Sequence, residues 1–522
     1  MSTSTLEQGK TFLIMQTQQS LKQQPPAPSF NSPIVKELLG KYRSIAALNH
    51  CSSLLGWDLE VNMPEQGARA RGIAAAEMEL MTQTKTVALA SLVEKAEKEK
   101  GLNDFEKGVV RVAGRDLYYY QKVPPALVEE LQKAYAEAAF PWREARKKSD
   151  FNIFKAHLEK IVELKRQEAE RLEPQGHIYN GLLDLYDEGI RTADLDRIFS
   201  ALIPSLKKIL TAAKTRKILR EDHPLEKVKY DPQAMKHVNE KLIELLAMPG
   251  DRFRLDVSTH PFTSRIGRDD VRITVRYEGT DFKGSMFSLI HECGHALYEL
   301  QVAPELEFTP IGRGVSSGLH ESQSRFWENI IGRSRDFVSL VYPMLRENLG
   351  FLSGYDEHEV YRYVNTVKTS LIRVDADELT YNFHIAMRYE LEKKLLEGKI
   401  AVSDLPSTWN DMIEDYLGKR PRNDAEGVLQ DIHWSAGGFA VFPSYSLGNI
   451  VAGMIWSQLK KQAALRLDKS TGLTPYKNWL RDNLHAVGAT YPPKQLLTRL
   501  FGHDYDPPGL VQYLEQKYLA LN

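Results

Sequence analysis

Cysteine is scarce in this sequence, which has only Cys51 and Cys293 among its 522 residues. Two thiols cannot form the disulfide framework of a small secreted protein, so the composition favours a reducing compartment, and we expect a cytoplasmic protein. Cys293 lies between two histidines, where a redox-sensitive thiol is conceivable. A small residue packed inside a helix is the simpler interpretation, and we favour it.

The sequence also lacks an excess of either charge and a long apolar run. Its 68 Lys and Arg residues balance 69 Asp and Glu residues, a formal charge of −1, so the composition predicts no nucleic-acid partner. No segment reaches the roughly 18 consecutive apolar residues that a membrane-spanning helix needs. The beginning of the chain shows no signal-peptide pattern, so we expect no membrane association.

Helical periodicity dominates the chain. Residues 1–30 are polar and rich in Gln and Pro, which predicts a flexible lead-in. Apolar residues three and four apart recur from Ile34 to about Leu219, and again from Phe282 onward. Prolines, Pro141 among them, are expected to separate the helices.

A short region between Asp251 and Gly279 has a different pattern. Its segments "FRLDVST" and "VRITVRYE" alternate and are rich in β-branched residues, so they predict two strands of one small sheet. A chain of 522 residues exceeds what one hydrophobic core usually organises. We therefore predict a mainly α protein with one small sheet and two or more lobes.

The segment "MFSLIHECGHALYELQ" places two histidines and a glutamate among apolar residues. His291 and His295 are four residues apart, so on a helix their side chains share one face and can bind one metal ion. Glu292, between them, is predicted to act as the general base that takes a proton from a water activated by the metal. This is the H-E-x-x-H pattern of zinc peptidases, although two satisfied core histidines would also fit it.

A catalytic zinc ion needs a third protein ligand and one open position. After the histidine helix comes the glycine-rich loop "TPIGRGVSSG", whose serine pair can cap a new helix. The next helix carries His320 and Glu321 near its start, and either side chain could complete the site. We favour Glu321, partly because of the resemblance described next.

The sequence resembles the thermostable metallocarboxypeptidases typified by carboxypeptidase Taq. Five stretches besides the histidine segment carry this resemblance: "HPF" (His260–Phe262), "DVRIT" (Asp270–Thr274), "HESQ" (His320–Gln323), "IRVDAD" (Ile372–Asp377) and "GVLQDIHW" (Gly427–Trp434). The chain departs from the family just after the last stretch, where Ala440 and Val441 replace the usual Gly-Tyr pair. That departure weakens any transfer of side-chain roles in this loop.

The resemblance implies that residues 31–522 form a single helical domain of two lobes around a deep groove, similar to that of the angiotensin-converting enzyme and neurolysin group. It implies metal ligation by His291, His295 and Glu321, with Glu292 as the base. It further implies a homodimer that removes single residues from the C-termini of peptides with broad specificity. Zinc is the expected ion, one per chain, and a His, His, Glu site also accepts cobalt.

A carboxypeptidase must recognise a free C-terminal carboxylate, and arginine is the natural partner because its planar fork can donate two parallel hydrogen bonds. Arg373, in "IRVDAD", is our first candidate, and we expect it on a long helical segment from Glu357 to Leu396. Arg272 is a weaker candidate, because an alternating strand could direct it to Asp269 or Asp270.

Two further roles complete the predicted site. His433 and Tyr445 are candidate donors to the negative oxygen of the tetrahedral intermediate, although Tyr445 could equally be a core residue. The resemblance implies that His260 and Phe262 narrow the closed end of the groove.

Two rival functions remain open at this stage. A zinc oligopeptidase or dipeptidase would use the same metal site without a carboxylate clamp at the first position. A helical scaffold with structural histidines would bind no stoichiometric metal.

Overall fold

The computed structural model describes residues 27–215, 223–462, 467 and 472–520, and these residues fold mainly into helices. The helices, in chain order, are α1 (Pro33–Val61), α2 (Ala68–Val87), α3 (Ala90–Glu97), α4 (Asp104–Lys122), α5 (Pro125–Lys148), α6 (Asn152–Arg171), α7 (Tyr179–Tyr186), α8 (Thr192–Thr215), α9 (Pro232–Leu245), α10 (Phe282–Leu300), α11 (Ser317–Arg325), α12 (Arg335–Asn348), α13 (Glu357–Val364), α14 (Tyr381–Leu396), α15 (Leu405–Leu417), α16 (Phe442–Leu459), α17 (Thr474–Leu480), α18 (Pro493–Phe501) and α19 (Pro508–Ala520).

These helices and one small sheet confirm the prediction of a mainly α protein. Of the predicted lead-in at residues 1–30, residues 1–26 lie outside the described part of the chain, and residues 27–32 precede α1 without regular structure. Among the described residues, no helix combines the length and the apolar character that crossing a bilayer requires.

The small sheet has three strands where the sequence predicted two. They are β1 (Phe253–Val257), β2 (Thr263–Gly267) and β3 (Asp270–Val275). β3 is central, parallel to β1 and antiparallel to β2. The sequence "TSRIG" of β2 was missed because it is short, lacks apolar alternation and ends in glycine.

The predicted helix from Glu357 to Leu396 is wrong. The chain forms α13, leaves it near Asn365 and re-enters a helix only at Tyr381. Between them lie extended residues and a single 3₁₀ turn that begins at Arg373. Pro141 was also misjudged, because it lies inside α5 instead of ending a helix.

The apolar core falls into two clusters. The smaller cluster joins α1, α3 and α4 with residues 302–311, and the larger cluster contains the helices from α5 onward together with strands β1 and β3. The helix α10 lies in the larger cluster and is buried on almost every side. A helix that is apolar all round has to be buried, so the placement of its few polar side chains is fixed by the surrounding packing.

Glycines let α11 approach its two neighbours closely. A Cβ atom added to Gly294 of α10 would lie 2.7 Å from the carbonyl oxygen of Gln323 in α11. A Cβ added to Gly448 of α16 would lie 2.8 Å from the Cβ of Glu321. Both distances are shorter than the contacts that Cβ atoms make in proteins, so the position of α11 depends on the absence of side chains at these two sites.

The replacement Gly294→Ala tests this packing. We expect it to lower the free energy of unfolding by about 1–3 kcal/mol, because the new methyl group meets backbone atoms that cannot rotate away. Gly72→Ala is the matched control, since Gly72 lies in α2 with open space where the Cβ would be. That change should stabilise the protein by about 0.5–1 kcal/mol through helix propensity. Equal effects of the two changes in urea denaturation would contradict the packing argument.

Candidate metal centre

The predicted metal ligands converge. His291 and His295 lie one turn apart on α10, and Glu321 lies in the first turns of α11, which packs against them. One ligand atom from each of the three residues lies within 4.8 Å of the other two. The Oε2 atom of Glu321 is 3.7 Å from His291 Nε2 and 3.4 Å from His295 Nε2.

These separations fit a single metal ion. Ligands about 2.0–2.1 Å from a tetrahedral zinc ion lie roughly 3.3–3.4 Å from one another. The two distances to Glu321 are close to that value, so small shifts of the side chains would complete the coordination. Two imidazole nitrogens and one carboxylate oxygen also form a donor set that suits divalent transition metals.

Hydrogen bonds on the far side of each ring set the tautomers of both histidines. His291 Nδ1 lies 2.9 Å from Glu328 Oε2, and His295 Nδ1 lies 3.0 Å from the backbone oxygen of His320. Both partners are acceptors, so each Nδ1 carries a proton, and in the neutral form of either ring the lone pair lies on Nε2. When both rings are neutral, three electron-pair donors face one another, an arrangement that a cation stabilises.

The alternative ligand His320 is directed elsewhere. Its Nε2 lies 3.1 Å from a carboxylate oxygen of Glu299, and its ring stacks on His295 with centroids 4.4 Å apart. The ligand atom that meets the Nε2 atoms of both histidines therefore belongs to Glu321 and not to His320. Ser316 caps α11 by accepting a hydrogen bond from the Leu319 backbone N–H, as the serine pair predicted.

Charged neighbours keep the acidic groups ionised. Burial opposes ionisation, but Arg325 and His291 hold the pKa of Glu321 well below its usual range. Arg325, with His291 and Arg333, likewise lowers the pKa of Glu328 to about 2 despite burial. Arg325 donates from Nε to Glu321 Oε1 at 2.7 Å and from Nη1 to Glu328 at 3.3 Å, so one guanidinium orients both carboxylates.

The two histidines differ in their affinity for a proton. Burial opposes a charge on His291, but Glu321 and Glu328 outweigh it and raise the pKa of this residue. Burial and the neighbouring His320 lower the pKa of His295 to about 3. A proton therefore binds His291 in preference to His295, whereas a divalent cation can bind both rings and the Glu321 carboxylate.

The predicted base lies beside this cluster and is held from the sheet. Glu292 is 7% exposed, and its Oε2 accepts a hydrogen bond of 2.6 Å from the Thr263 hydroxyl of β2. Burial raises the pKa of Glu292. The second carboxylate oxygen accepts no hydrogen bond from the described residues. Thr263 was not foreseen from the sequence, although it directly follows the "HPF" stretch.

Arg373 belongs to a buried cluster with an excess of positive charge. Its Nε and Nη2 atoms lie 2.9 and 2.8 Å from Asp431 Oδ1, and its Nη1 donates to the Tyr381 hydroxyl at 2.9 Å. Arg388 bonds the other oxygen of the same carboxylate. Two guanidinium groups thus share one carboxylate, and Arg373 keeps unused N–H groups on Nη1 and Nη2 because a guanidinium has five donors.

The histidines near this cluster do not add to its charge. Burial, reinforced by nearby arginines, lowers the pKa of His384 to about 3 and that of His433 to about 4. Both rings are neutral at physiological pH. The excess charge of the cluster therefore rests on its guanidinium groups, which is an environment that attracts an anion.

His433 and Tyr445 contact each other. His433 Nε2 lies 3.1 Å from the Tyr445 hydroxyl, and the Arg373 guanidinium carbon lies 5.4 Å from the centre of the Tyr445 ring. The loop between them contains Ala440, whose φ of 67° is a left-handed conformation that favours glycine. The backbone N–H of Ala440 donates to Glu392 at 2.9 Å, which holds this conformation.

The "HPF" stretch is a turn beside the sheet. The backbone N–H of Phe262 donates to the Thr274 hydroxyl at 3.1 Å, and the Thr274 N–H donates back to the Phe262 carbonyl at 2.9 Å. The His260 side chain is exposed and Phe262 is half-buried. The turn ends one residue before Thr263, so it fixes the strand that holds the predicted base.

Two weaker candidates have structural roles. Both oxygens of Asp270 accept hydrogen bonds of 2.7 Å from Arg272, as the strand alternation had allowed. Cys293 is fully buried in α10, and burial raises the pKa of its thiol, which disfavours the reactive thiolate. Its surroundings fit a packing role.

Several functional neighbours were missed from the sequence. Arg325 and Glu328 follow Glu321 at four and seven residues, the spacing of one helix face, so the pattern could have indicated both. Tyr381, Asp431 and Arg388 meet Arg373 only through tertiary packing, and no local signal marks them.

Comparison with known proteins agrees with this geometry. The profile of the carboxypeptidase Taq (M32) metallopeptidase family matches residues 37–518. Thermostable carboxypeptidase 1 of Pyrococcus furiosus is 44% identical over 94% of this chain and 99% of its own length. Carboxypeptidase 1 of Bacillus subtilis is 33% identical over 93% and 98%. A solved structure of the Pyrococcus furiosus carboxypeptidase in an apo-Mg form superposes with a TM-score of 0.92 at 43% identity, covering 94% of this chain and all of that one.

A helical fold that brings an H-E-x-x-H helix and a distant glutamate to one cation site defines a metallopeptidase. The chain belongs to the carboxypeptidase Taq (M32) family. The family resemblance inferred from the motifs is thereby confirmed, and the protein is a metallocarboxypeptidase.

Glu328→Gln tests the control of the His291 tautomer. A neutral amide binds the Nδ1–H group more weakly and can present its own N–H groups instead, so we expect metal affinity to fall about 10–100-fold. Competition with a chromogenic chelator measures the dissociation constant directly. Glu347→Gln, at an exposed position of α12, is the control and should leave the affinity unchanged. An unchanged affinity in Glu328→Gln would contradict the tautomer argument.

Proposed function

We propose that the protein is a zinc-dependent carboxypeptidase that releases single C-terminal residues from peptides with broad specificity. The observation that carries the proposal is the convergence of three ligand atoms, from His291, His295 and Glu321, beside the buried Glu292, one of whose carboxylate oxygens accepts no hydrogen bond from the described residues. The family supports a divalent metal and the carboxypeptidase activity. The choice of zinc is supported by the donor set of two imidazoles and one carboxylate, which also accepts cobalt.

His291, His295 and Glu321 would hold the ion. When bound, the ion supplies Lewis acidity, which polarises a carbonyl group and makes water more acidic. Glu292 is the proton carrier. Thr263 occupies its Oε2 atom, so Oε1 is free to accept a proton from the attacking water and to return it to the departing amine.

Arg373 binds the terminal carboxylate of the peptide in this proposal. Its unused N–H groups and the excess positive charge around Asp431 support the role. A chain of contacts joins Arg373 to the proposed metal ligand Glu321. Arg373 bonds the Tyr381 hydroxyl, and the ring of Tyr381 lies 4.5 Å from the Arg325 guanidinium, which bonds Glu321. Anchoring the carboxylate there sets which peptide bond reaches Glu292.

His433 and Tyr445 support the developing oxyanion. A neutral His433 that donates from Nε2 to the Tyr445 oxygen leaves the hydroxyl proton of Tyr445 free for the substrate. His260 and Phe262 narrow the closed end of the groove, next to the strand that carries Thr263. Both assignments rest on the family resemblance together with these positions.

Other expectations from the sequence stay predictions. They are the division of residues 31–522 into two lobes, the likeness to the angiotensin-converting enzyme and neurolysin group, the homodimer, and the cytoplasmic location.

Timed digestion of a peptide, followed by mass spectrometry, tests the proposed activity. We expect a ladder of products that each lack one more C-terminal residue, and no digestion of the same peptide with an amidated C-terminus. A chelator should stop the reaction, and added Zn²⁺ should restore it. Internal cuts or released dipeptides would contradict the proposal in favour of an oligopeptidase or dipeptidase.

Glu292→Gln tests the assignment of the base. The amide keeps the shape of the side chain but cannot accept a proton, so we expect kcat to fall by about 10²–10⁴-fold. Metal content, measured by elemental analysis, should stay at one ion per chain. Glu305→Gln, at an exposed position just beyond α10, is the control and should keep full activity. A Glu292→Gln variant with normal kcat would rule out the assignment.

A further inference from the structure

Tyr381 occupies a buried position between two guanidinium groups. It begins α14 and is 5% exposed. The centre of its ring lies 4.5 Å from the guanidinium carbon of Arg325 and 5.9 Å from that of Arg373. Contacts between cations and an aromatic face hold the ring in a defined orientation. The hydroxyl group therefore has a fixed place beside Arg373.

The hydrogen bonding of this hydroxyl is incomplete. It accepts a bond of 2.9 Å from Arg373 Nη1, and it donates to no residue within the described ranges. A buried donor without an acceptor costs about 1–3 kcal/mol. Tyr389, two turns further along α14, shows the usual arrangement, because its hydroxyl lies 2.7 Å from a carboxylate oxygen of Asp196.

The unused donor lies on the path between the proposed metal ligands and Arg373. Arg325 contacts the ring of Tyr381 and also donates to Glu321 at 2.7 Å. The centre of the Tyr445 ring lies 6.3 Å from that of the Tyr381 ring, in an edge-to-face arrangement. Acceptors on the two N–H groups of Arg373 Nη1 lie about 5 Å apart. When one oxygen of a carboxylate accepts from Nη1, the second oxygen can lie within hydrogen-bond reach of the Tyr381 hydroxyl.

We propose that Tyr381 is a substrate-binding residue whose hydroxyl donates to the terminal carboxylate held by Arg373. The inference rests on the proposed function of Arg373 and extends it. A carboxylate offers about four lone-pair positions on two oxygens, so one oxygen can accept from the remaining N–H group of Arg373 Nη1 while the other accepts from the hydroxyl. An O–H···O⁻ bond is short and strong, and a terminal amide accepts it less well. The hydroxyl thus adds selectivity for a free C-terminus.

Tyr381→Phe is the decisive variant. We expect KM for a short peptide to rise about 10-fold or more, because a hydrogen bond to a charged group is lost. kcat should change by less than about threefold, since the hydroxyl does not act on the scissile bond. Inhibition by a free amino acid product should weaken by the same factor as KM, whereas the weaker inhibition by the amide of that amino acid should not change.

Tyr389→Phe is the matched control, as it removes a hydroxyl from a buried tyrosine of the same helix that bonds Asp196 instead of Arg373. A crystal structure of the wild-type protein with the amino acid product gives a test that does not depend on folding of the variant. It should place the Tyr381 oxygen about 2.5–2.7 Å from a carboxylate oxygen. An unchanged KM in Tyr381→Phe, an equal effect in Tyr389→Phe, or a longer distance in the complex would overturn the inference.

Arg373→Gln separates this inference from the proposed function. If Arg373→Gln raises KM and Tyr381→Phe does not, the role of Tyr381 is wrong and the arginine clamp stands. If neither variant alters KM, the clamp itself is wrong and the inference fails with it.

Discussion

The site depends on how closely α11 packs between α10 and α16. Gly294 and Gly448 remove the side chains that would keep α11 away, and Glu321 lies where that helix meets both neighbours. A methyl group added at either glycine would displace α11 and move the Glu321 carboxylate away from the two imidazoles. Helix packing therefore positions the three proposed metal ligands, and their geometry is as rigid as the surrounding core.

Arginines organise the charge around this cluster. Arg325 orients the proposed ligand Glu321 and the outer carboxylate Glu328, and its other face contacts the Tyr381 ring. Tyr381 is in turn hydrogen-bonded to Arg373. The proposed metal ligands and the proposed carboxylate-binding Arg373 thus belong to one continuous network of side-chain contacts. In the proposed function, this continuity sets the distance between the bound terminal carboxylate of a peptide and the peptide bond that water, deprotonated by Glu292, would attack.

Local patterns in the sequence predicted the parts of the site that lie on one helix. The four-residue spacing of His291 and His295 was sufficient to place both side chains on one face, because a regular helix fixes their relative positions. The serine pair likewise predicted where α11 begins. The choice of Arg373 as the residue that binds the terminal carboxylate stays a prediction, and the helix expected to carry it was predicted wrongly. The helical pattern of residues 357–396 hid a break whose only sign is the loss of apolar periodicity. Tyr381 could not be predicted, since tertiary packing alone places it beside both guanidiniums.

The central claim is that two imidazoles and one distant carboxylate bind a single divalent ion. Anomalous diffraction at the zinc absorption edge, from crystals of the protein prepared with zinc, tests it most directly. The account predicts one strong peak per chain, about 2.0–2.2 Å from His291 Nε2, His295 Nε2 and a carboxylate oxygen of Glu321. A peak bound by other residues, or no peak between these three side chains, would contradict it.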